Sequence, residues 1–457
     1  MHKDIIRQLT IIVGPNNIST AQAELSCVSY DGTGQTSMPE AVIWPSTADE
    51  VSRVMAIAHR QMIPVVARGA GSGMTGGAIP THGGLVIAMA RFNHILEIDQ
   101  ENQTAIVEPG VVTGTLQAEV GRYGLFYPPD PASAKFCTIG GNVAEGAGGP
   151  SAVKYGVTRD YVKGLEVVLA DGRIIHTGVR TDKGVVGYDL TRLFVGSEGT
   201  LGIITKIILR LIPKPKTKQT TLVLLDSMLA ATRLVAQVLS NFSPCTLEFM
   251  DRTAISIVAD KLPMTLSAGT EALLLIELDG SAVAVASEGT DLARFLFEQS
   301  GVRQVTQAKD KSEVDRLWLA RRSVSPAAFS LRTHKLGEDV VVPRTAIPDL
   351  VAYAEELARE LKLILFCFGH AGDGNIHINI MYNQADDRQM TAAHIAKKRI
   401  FTKVIALGGT LSGEHGVGIT KSAYLPLEVD QNTIAAMKLI KLALDPGNIL
   451  NPGKIFP

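Results

Sequence analysis

The chain has 457 residues, 46% of them hydrophobic and 19% charged, with a formal net charge of −1. This is the composition of a folded chain long enough for two or more domains, and so small a net charge excludes a global attraction to nucleic acid or anionic membranes. The four cysteines, Cys27, Cys137, Cys245 and Cys367, show no CxxC spacing, which argues against a disulfide framework, a cysteine-rich zinc site or an iron–sulfur cluster. Met1–Asp4 lacks the apolar core of a signal peptide, and no run of about 18 apolar residues predicts a membrane span. The expected compartment is the cytoplasm, with peripheral attachment to a membrane through a partner left open.

Along the chain, Ala41–Pro45 reads as a short strand. Thr47 and Glu50 form a capping-box pair ahead of Val51, Val54, Met55 and Ala58 at helical spacing. Pro64–Ala67 reads as a second strand, ending in the glycine-dense stretch Arg68–Gly77. Leu85–Ala90, Ile95–Asp99 and Thr104–Glu108 are predicted strands, and Thr113–Tyr123 a helix. Leu165–Leu169, Arg173–Thr177 and Leu201–Leu211 are further strands. Pro213 and Pro215, among Lys214, Lys216 and Lys218, predict a linker. Beyond it helices and strands alternate through Met228–Leu239, Ala272–Leu278, Thr290–Gln299, Ile347–Leu361 and Leu363–Phe368. The helical stretch Thr391–Leu407 leads into a glycine-rich tail.

Gly71, Gly73 and Gly76 match the spacing of a Rossmann fingerprint, but that mechanism needs a helix directly after the glycines. Here the chain continues Gly77-Ala78-Ile79-Pro80, which does not start one. The pattern instead predicts a bare loop whose backbone N–H groups wrap a pyrophosphate. An ordinary turn is the bland reading, and so many ordered glycines argue against it.

Three segments in order, Arg68–Gly77, Cys137–Glu145 and Gly196–Ile203, resemble the FAD domain of the vanillyl-alcohol-oxidase (PCMH-type) flavoproteins. Within these the chain is similar to the branch of the glycolate oxidase D subunit, D-lactate dehydrogenase and D-2-hydroxyglutarate dehydrogenase, from about Met38 to Lys454. The resemblance implies an α+β protein: a two-subdomain PCMH-type FAD-binding domain over residues 38–214, after an N-terminal extension 1–37. An α+β substrate domain over 215–410 would follow, then a segment 411–457 returning to the flavin. It implies that FAD is held by Arg68, Gly69, Ala70, Gly71, Ser72, Gly73, Thr75 and Gly76. It adds Pro129, Asp130, Cys137, Thr138, Gly141, Asn142, Ala144, Gly148, Glu198, Gly199, Gly202, Ile203 and Ile204, with Asn451 from the tail. Relatives often carry Asn where this chain has Gly146. Some members of the wider superfamily attach FAD through a His in the first loop, where this chain has Ser72; non-covalent FAD is therefore expected. A small buried thiol is the expected state of Cys137.

Downstream, Ala371–Gly374 is turn-forming, with His370 before it. Ile376–Ile380 alternates so that His377 and Asn379 share a strand face. A second glycine-flanked piece is Gly413-Glu414-His415-Gly416. Two imidazoles and a carboxylate suit a divalent metal such as Zn, Mn or Fe with open positions; each His alone would more often be structural. The resemblance implies His370, His377 and Glu414 as ligands and His415 as catalytic base. It also implies Arg321 for the substrate carboxylate, with Arg322 as a register alternative, and Asn379 and Lys335 as further substrate contacts. D-2-hydroxyglutarate-type relatives have Lys where this chain has Gly337, which argues against a dicarboxylate substrate.

The expected function is FAD-dependent oxidation of a small D-2-hydroxy acid, D-lactate or glycolate favoured, to the 2-oxo acid. Electrons would pass to an electron-transferring flavoprotein, an iron–sulfur partner subunit or another acceptor, and a homo-oligomer is expected. The competing readings are a metal-independent flavin oxidase of another alcohol, which chelators would not affect, and an FAD-carrying electron-transfer subunit, which would not need the four residues His370, His377, Glu414 and His415.

Overall fold

The computed structural model describes residues 1–457 and divides into two compact units. The first contains residues 1–148, 157–214 and 414–457; the second contains 149–156 and 215–413.

In the first unit, Ala41–Ile43 and Val65–Arg68 flank Leu85–Ala88 in parallel, and Ile18–Ser19 pairs antiparallel with Ala41–Ile43 at the edge. The helix Ala48–Gln61 crosses between the two flanking strands. The Thr47 hydroxyl accepts the Glu50 N–H at its start, while the Glu50 carboxylate takes the Ser46 N–H at 2.6 Å. The expected box is thus displaced by one residue on its return arm. The helix buries Val51, Val54, Met55 and Ala58 against Leu85 and Ile87, because those positions recur at 3.6-residue spacing. A second sheet is antiparallel and runs Ile95–Asp99, Thr104–Val107, Ile203–Arg210, Val162–Val168, Ile174–Gly178. The tail pairs with the first sheet: Val65 donates to the Ile449 carbonyl at 2.7 Å and accepts from the Asn451 N–H at 2.8 Å.

In the second unit a seven-stranded antiparallel sheet runs Val302–Gln307, Thr217–Leu225, Ala272–Gly280, Thr246–Asp251, Ile364–His370, Asn375–Tyr382, His334–Val341. The helices Met228–Asn241, Ala282–Phe297, Ile347–Leu361 and Asp387–Ala406 pack on its strands. On one face, Leu222, Leu224, Leu273, Leu275, Met250, Phe366 and Phe368 form a core closed by Leu317, Ala320 and Val324 of the helix Lys311–Ala327. Phe366 is almost wholly buried, so Phe366→Ala should cost about 3–5 kcal/mol through lost burial and a residual cavity. Thermal melting by circular dichroism checks this; an unchanged melting temperature would show that the site collapses without penalty.

Candidate active site

Arg68 closes the strand Val65–Arg68. Its guanidinium donates to the Tyr30 carbonyl at 2.7 Å, and burial lowers its pKa against the opposing pull of Asp31. No helix follows the glycines; the next regular element is Leu85–Ala88. Gly71 and Gly76 have φ of +68° and +87°, and a Cβ on Gly76 would overlap Ile419. Two close approaches therefore bear on the loop, since a Cβ on Gly69 would overlap the Thr138 hydroxyl. That hydroxyl caps a short helix, Ile139–Glu145. Gly140 and Gly141 hide this helix in the sequence. Gly140 is required there because a Cβ would overlap Pro109. Asn142 donates to the Thr113 hydroxyl at 2.8 Å, and Cys137 lies buried with its sulfur 3.3 Å from the same hydroxyl.

The third segment supplies Glu198, a non-glycine residue at φ +51°. Its carboxylate accepts the N–H groups of Val417 and Gly418, each at 2.7 Å. Asn451 donates to the Gly77 and Glu198 carbonyls at 2.8 and 2.7 Å. Lys454 donates to the Ile79 carbonyl, and burial lowers its pKa to about 8. Ala144 accepts from the Glu198 N–H at 2.8 Å, and Gly202 opens the strand Ile203–Arg210 in contact with Val167. Pro129 is buried and its carbonyl accepts from Gln117 at 2.9 Å. The glycine loop, the helix after Thr138, the Glu198 turn and the tail are thus brought together. Buried oxygens of Glu145 and Asn451 have no hydrogen-bond partner there. Burial, then neighbouring Glu198, pushes the Glu145 carboxyl well above the usual range. Glycine-lined backbone with unpartnered polar atoms fits a polar, backbone-bound cofactor.

Thr75 donates its hydroxyl to the His415 carbonyl at 3.0 Å, and Gly416 follows at φ +78°. His415 Nε2 is 3.8 Å from the Glu414 carboxylate. A Cβ on Gly148 would stand 3.0 Å from Glu414 Oε2, so Gly148 bears on the position of Glu414.

In the second unit the strand register aligns Glu248 with His370, Met250 with Phe368, Phe368 with His377, and His377 with Asp339. Alternation then sets Glu248, His370, His377, Asn379, Asp339 and Lys335 on one sheet face. The two imidazoles meet edge to face, centroids 5.2 Å apart. His370 Nδ1 lies 2.5 Å from Glu248 Oε1. Arg321, from the helix above, stacks on Phe368 at 4.6 Å and sets NH2 2.5 Å from Glu248 Oε2. The Arg321 contact is ionic without hydrogen-bond alignment, and Arg321 Nε is buried and unpartnered. Burial would raise the Glu248 pKa, but Arg321 and His370 reverse this and hold it below the usual carboxylate value. His377 Nδ1 is 3.9 Å from Asp339, whose carboxylate also takes the Asn375 amide at 2.5 Å and the Gly413 N–H at 3.0 Å. Asn379 stands opposite Gly337, and Lys335 donates to the Ser325 hydroxyl at 2.6 Å; burial lowers the Lys335 pKa. Arg322 turns instead to Trp318, on the exposed side of the helix.

Glu248, Asp339 and Asn375 were not singled out in the sequence. Glu248 and Asp339 lie on strands remote in sequence from the histidines, and only the register aligns them with His370 and His377. Two adjacent imidazoles, one of them hydrogen-bonded to a buried carboxylate, fit a divalent cation, because such a partner fixes the ring and raises the basicity of the ligating nitrogen.

The models of two families match: "FAD binding domain" over residues 39–178 and "FAD linked oxidases, C-terminal domain" over residues 214–455. The chain is 45% identical over 456 residues to glycolate oxidase subunit GlcD of Bacillus subtilis, covering 99% of this chain and 97% of that one. It is 37% identical over 416 residues to D-lactate dehydrogenase of Archaeoglobus fulgidus, covering 91% and 90%. Among solved structures, p-cresol methylhydroxylase with substrate bound matches at TM-score 0.79 and 17% identity, over 99% of this chain and 96% of that one, which shows the shared PCMH-type fold.

Proposed function

The chain belongs to the FAD-linked oxidases, and from that premise we propose that it oxidises a small D-2-hydroxy acid, D-lactate or glycolate, to the 2-oxo acid. That it is an FAD-dependent oxidoreductase follows from the family. The substrate class rests on the relatives named glycolate oxidase and D-lactate dehydrogenase. One observation carries the site: His370, His377 and Arg321 converge on one sheet face around buried Glu248.

FAD supplies the redox step when bound, accepting the Cα hydrogen with its electron pair. We assign its pyrophosphate to the Arg68–Gly76 loop, and its remaining contacts to the Thr138 helix, the Glu198–Ile204 segment and Asn451. A divalent ion, Zn, Mn or Fe, would be held by His370, His377 and Glu414, and would acidify a hydroxyl chelated to it. The unpartnered Nε of Arg321 is positioned to meet the substrate carboxylate, an acceptor that suits a guanidinium. Lys335 and Asn379 line the same face. His415 takes the hydroxyl proton, since imidazole is the side chain that changes charge near neutral pH. Gly337 leaves no second cation at its position, which favours a monocarboxylate. The relative's designation as a subunit supports a partner protein as electron acceptor.

A panel of D- and L-2-hydroxy acids with an artificial electron acceptor tests this reading. D-lactate or glycolate should be turned over and L-lactate should not; equal rates with both lactate enantiomers overturn it. The flavin should be released into the supernatant by acid, because Ser72 offers no linking group and the Cys137 thiol is buried beside Thr113. Yellow colour retained in the precipitated polypeptide would show a covalent link.

A further inference from the structure

We propose that Glu248 is a positioning residue for this reaction, one carboxylate that orients both His370 and Arg321. The proposal rests on the reading above, in which His370 holds a metal and Arg321 meets the substrate.

Glu248 lies in the strand Thr246–Asp251, between the strands Ala272–Gly280 and Ile364–His370, and it is completely buried. A carboxylate is costly there unless it is paired. Its partners are side chains only. Oε1 faces His370 Nδ1 and Oε2 faces Arg321 NH2, each at 2.5 Å. Asp251, three residues on in the same strand, shows what a structural carboxylate looks like. It accepts the backbone N–H groups of Ala254 and Cys367, capping a helix and tying two strands. Glu248 does no such backbone work, so the sheet bears the cost of burying it for the sake of two side chains from two other elements.

The geometry has a chemical consequence on each side. A carboxylate at Nδ1 requires that nitrogen to carry the proton, so the lone pair of neutral His370 lies on Nε2, as a metal ligand needs. On the other side, Glu248 and the Phe368 ring hold Arg321 at two points and leave its buried Nε without a protein acceptor. Losing Glu248 should therefore weaken metal binding and substrate binding together.

The test uses the FAD-loaded protein, stripped of metal and titrated with Zn²⁺ or Mn²⁺ against a competing chelator. Glu248→Gln keeps an acceptor for Nδ1–H but removes the charge, and should bind metal about 10–100-fold more weakly, the usual effect of losing such a supporting carboxylate. KM for the hydroxy acid should rise in the same variant. Arg321→Met should raise KM while leaving metal affinity unchanged, which separates the two arms. FAD content and melting temperature report folding. Should Glu248→Gln not fold, Glu248→Asp, one methylene too short to reach both partners, should show at least about tenfold weaker metal binding. Metal affinity within about threefold of wild type in a folded Glu248 variant overturns the proposal. A wild-type protein that takes up no divalent ion overturns instead the metal reading beneath it.

Discussion

Replacing His415 with alanine should slow flavin reduction by substrate about 10²–10⁴-fold, the usual cost of losing a general base, while FAD and metal content stay at wild-type levels. The local structure makes so clean a result physically reasonable. The backbone at residue 415 is held through its carbonyl by the Thr75 hydroxyl, and the N–H groups of Val417 and Gly418 just beyond are held by Glu198. None of these bonds uses the imidazole. The measurement is anaerobic, by stopped-flow absorbance of the flavin, before any electron acceptor acts. Normal reduction by the variant would remove His415 from the chemistry.

Glu414→Ala should fail in a different way. Losing a ligand should empty the metal site and lower kcat/KM about 10³-fold, because Lewis-acid assistance is worth several kcal/mol. Metal analysis of the purified variant and a chelator titration of the wild type check this, with activity returning when metal is added back to the chelated wild type. Gly413 and Gly416 flank the pair, so neighbouring side chains can serve separate targets: Gly416 adopts φ +78°, and a Cβ on Gly413 would overlap the Asn375 amide. A Glu414→Ala protein with full metal, beside a His415→Ala protein without it, would show that the two roles are exchanged.

Local signals were legible where the chain uses local chemistry. Ile347–Leu361 is a helix over those same residues, and the Thr47 cap and the helix-free glycine loop follow from neighbouring residues alone. Where tertiary contacts decide, the sequence says less. The helix Ala282–Phe297 reads only from Thr290 onward because Gly289 interrupts it, yet Gly289 is where Gln219 packs and where Gln307 donates to the carbonyl at 2.7 Å. The helix Ile139–Glu145 hides behind Gly140 for the same kind of reason, a close approach by Pro109. Within the candidate site, the two histidines stand out because they flank one turn. Glu248 does not, since 122 residues separate it from His370 and only the antiparallel register aligns them.

The pairing of Val65 with Leu450 and its neighbours sets an order on biosynthesis. The N–H and C=O of Val65 emerge from the ribosome well before their partners at Ile449 and Asn451. All of residues 215–413 are made in between, and they form their own compact unit. Entropy alone does not forbid so late a closure, because each doubling of a loop costs only about 0.6 kcal/mol. Timing is the constraint: a nascent first unit waits with an exposed sheet edge and a glycine loop that lacks the Asn451 and Lys454 contacts, the kind of surface on which aggregation begins. A chain released before Asn451 would leave that edge open and the Gly77 carbonyl without its Asn451 donor.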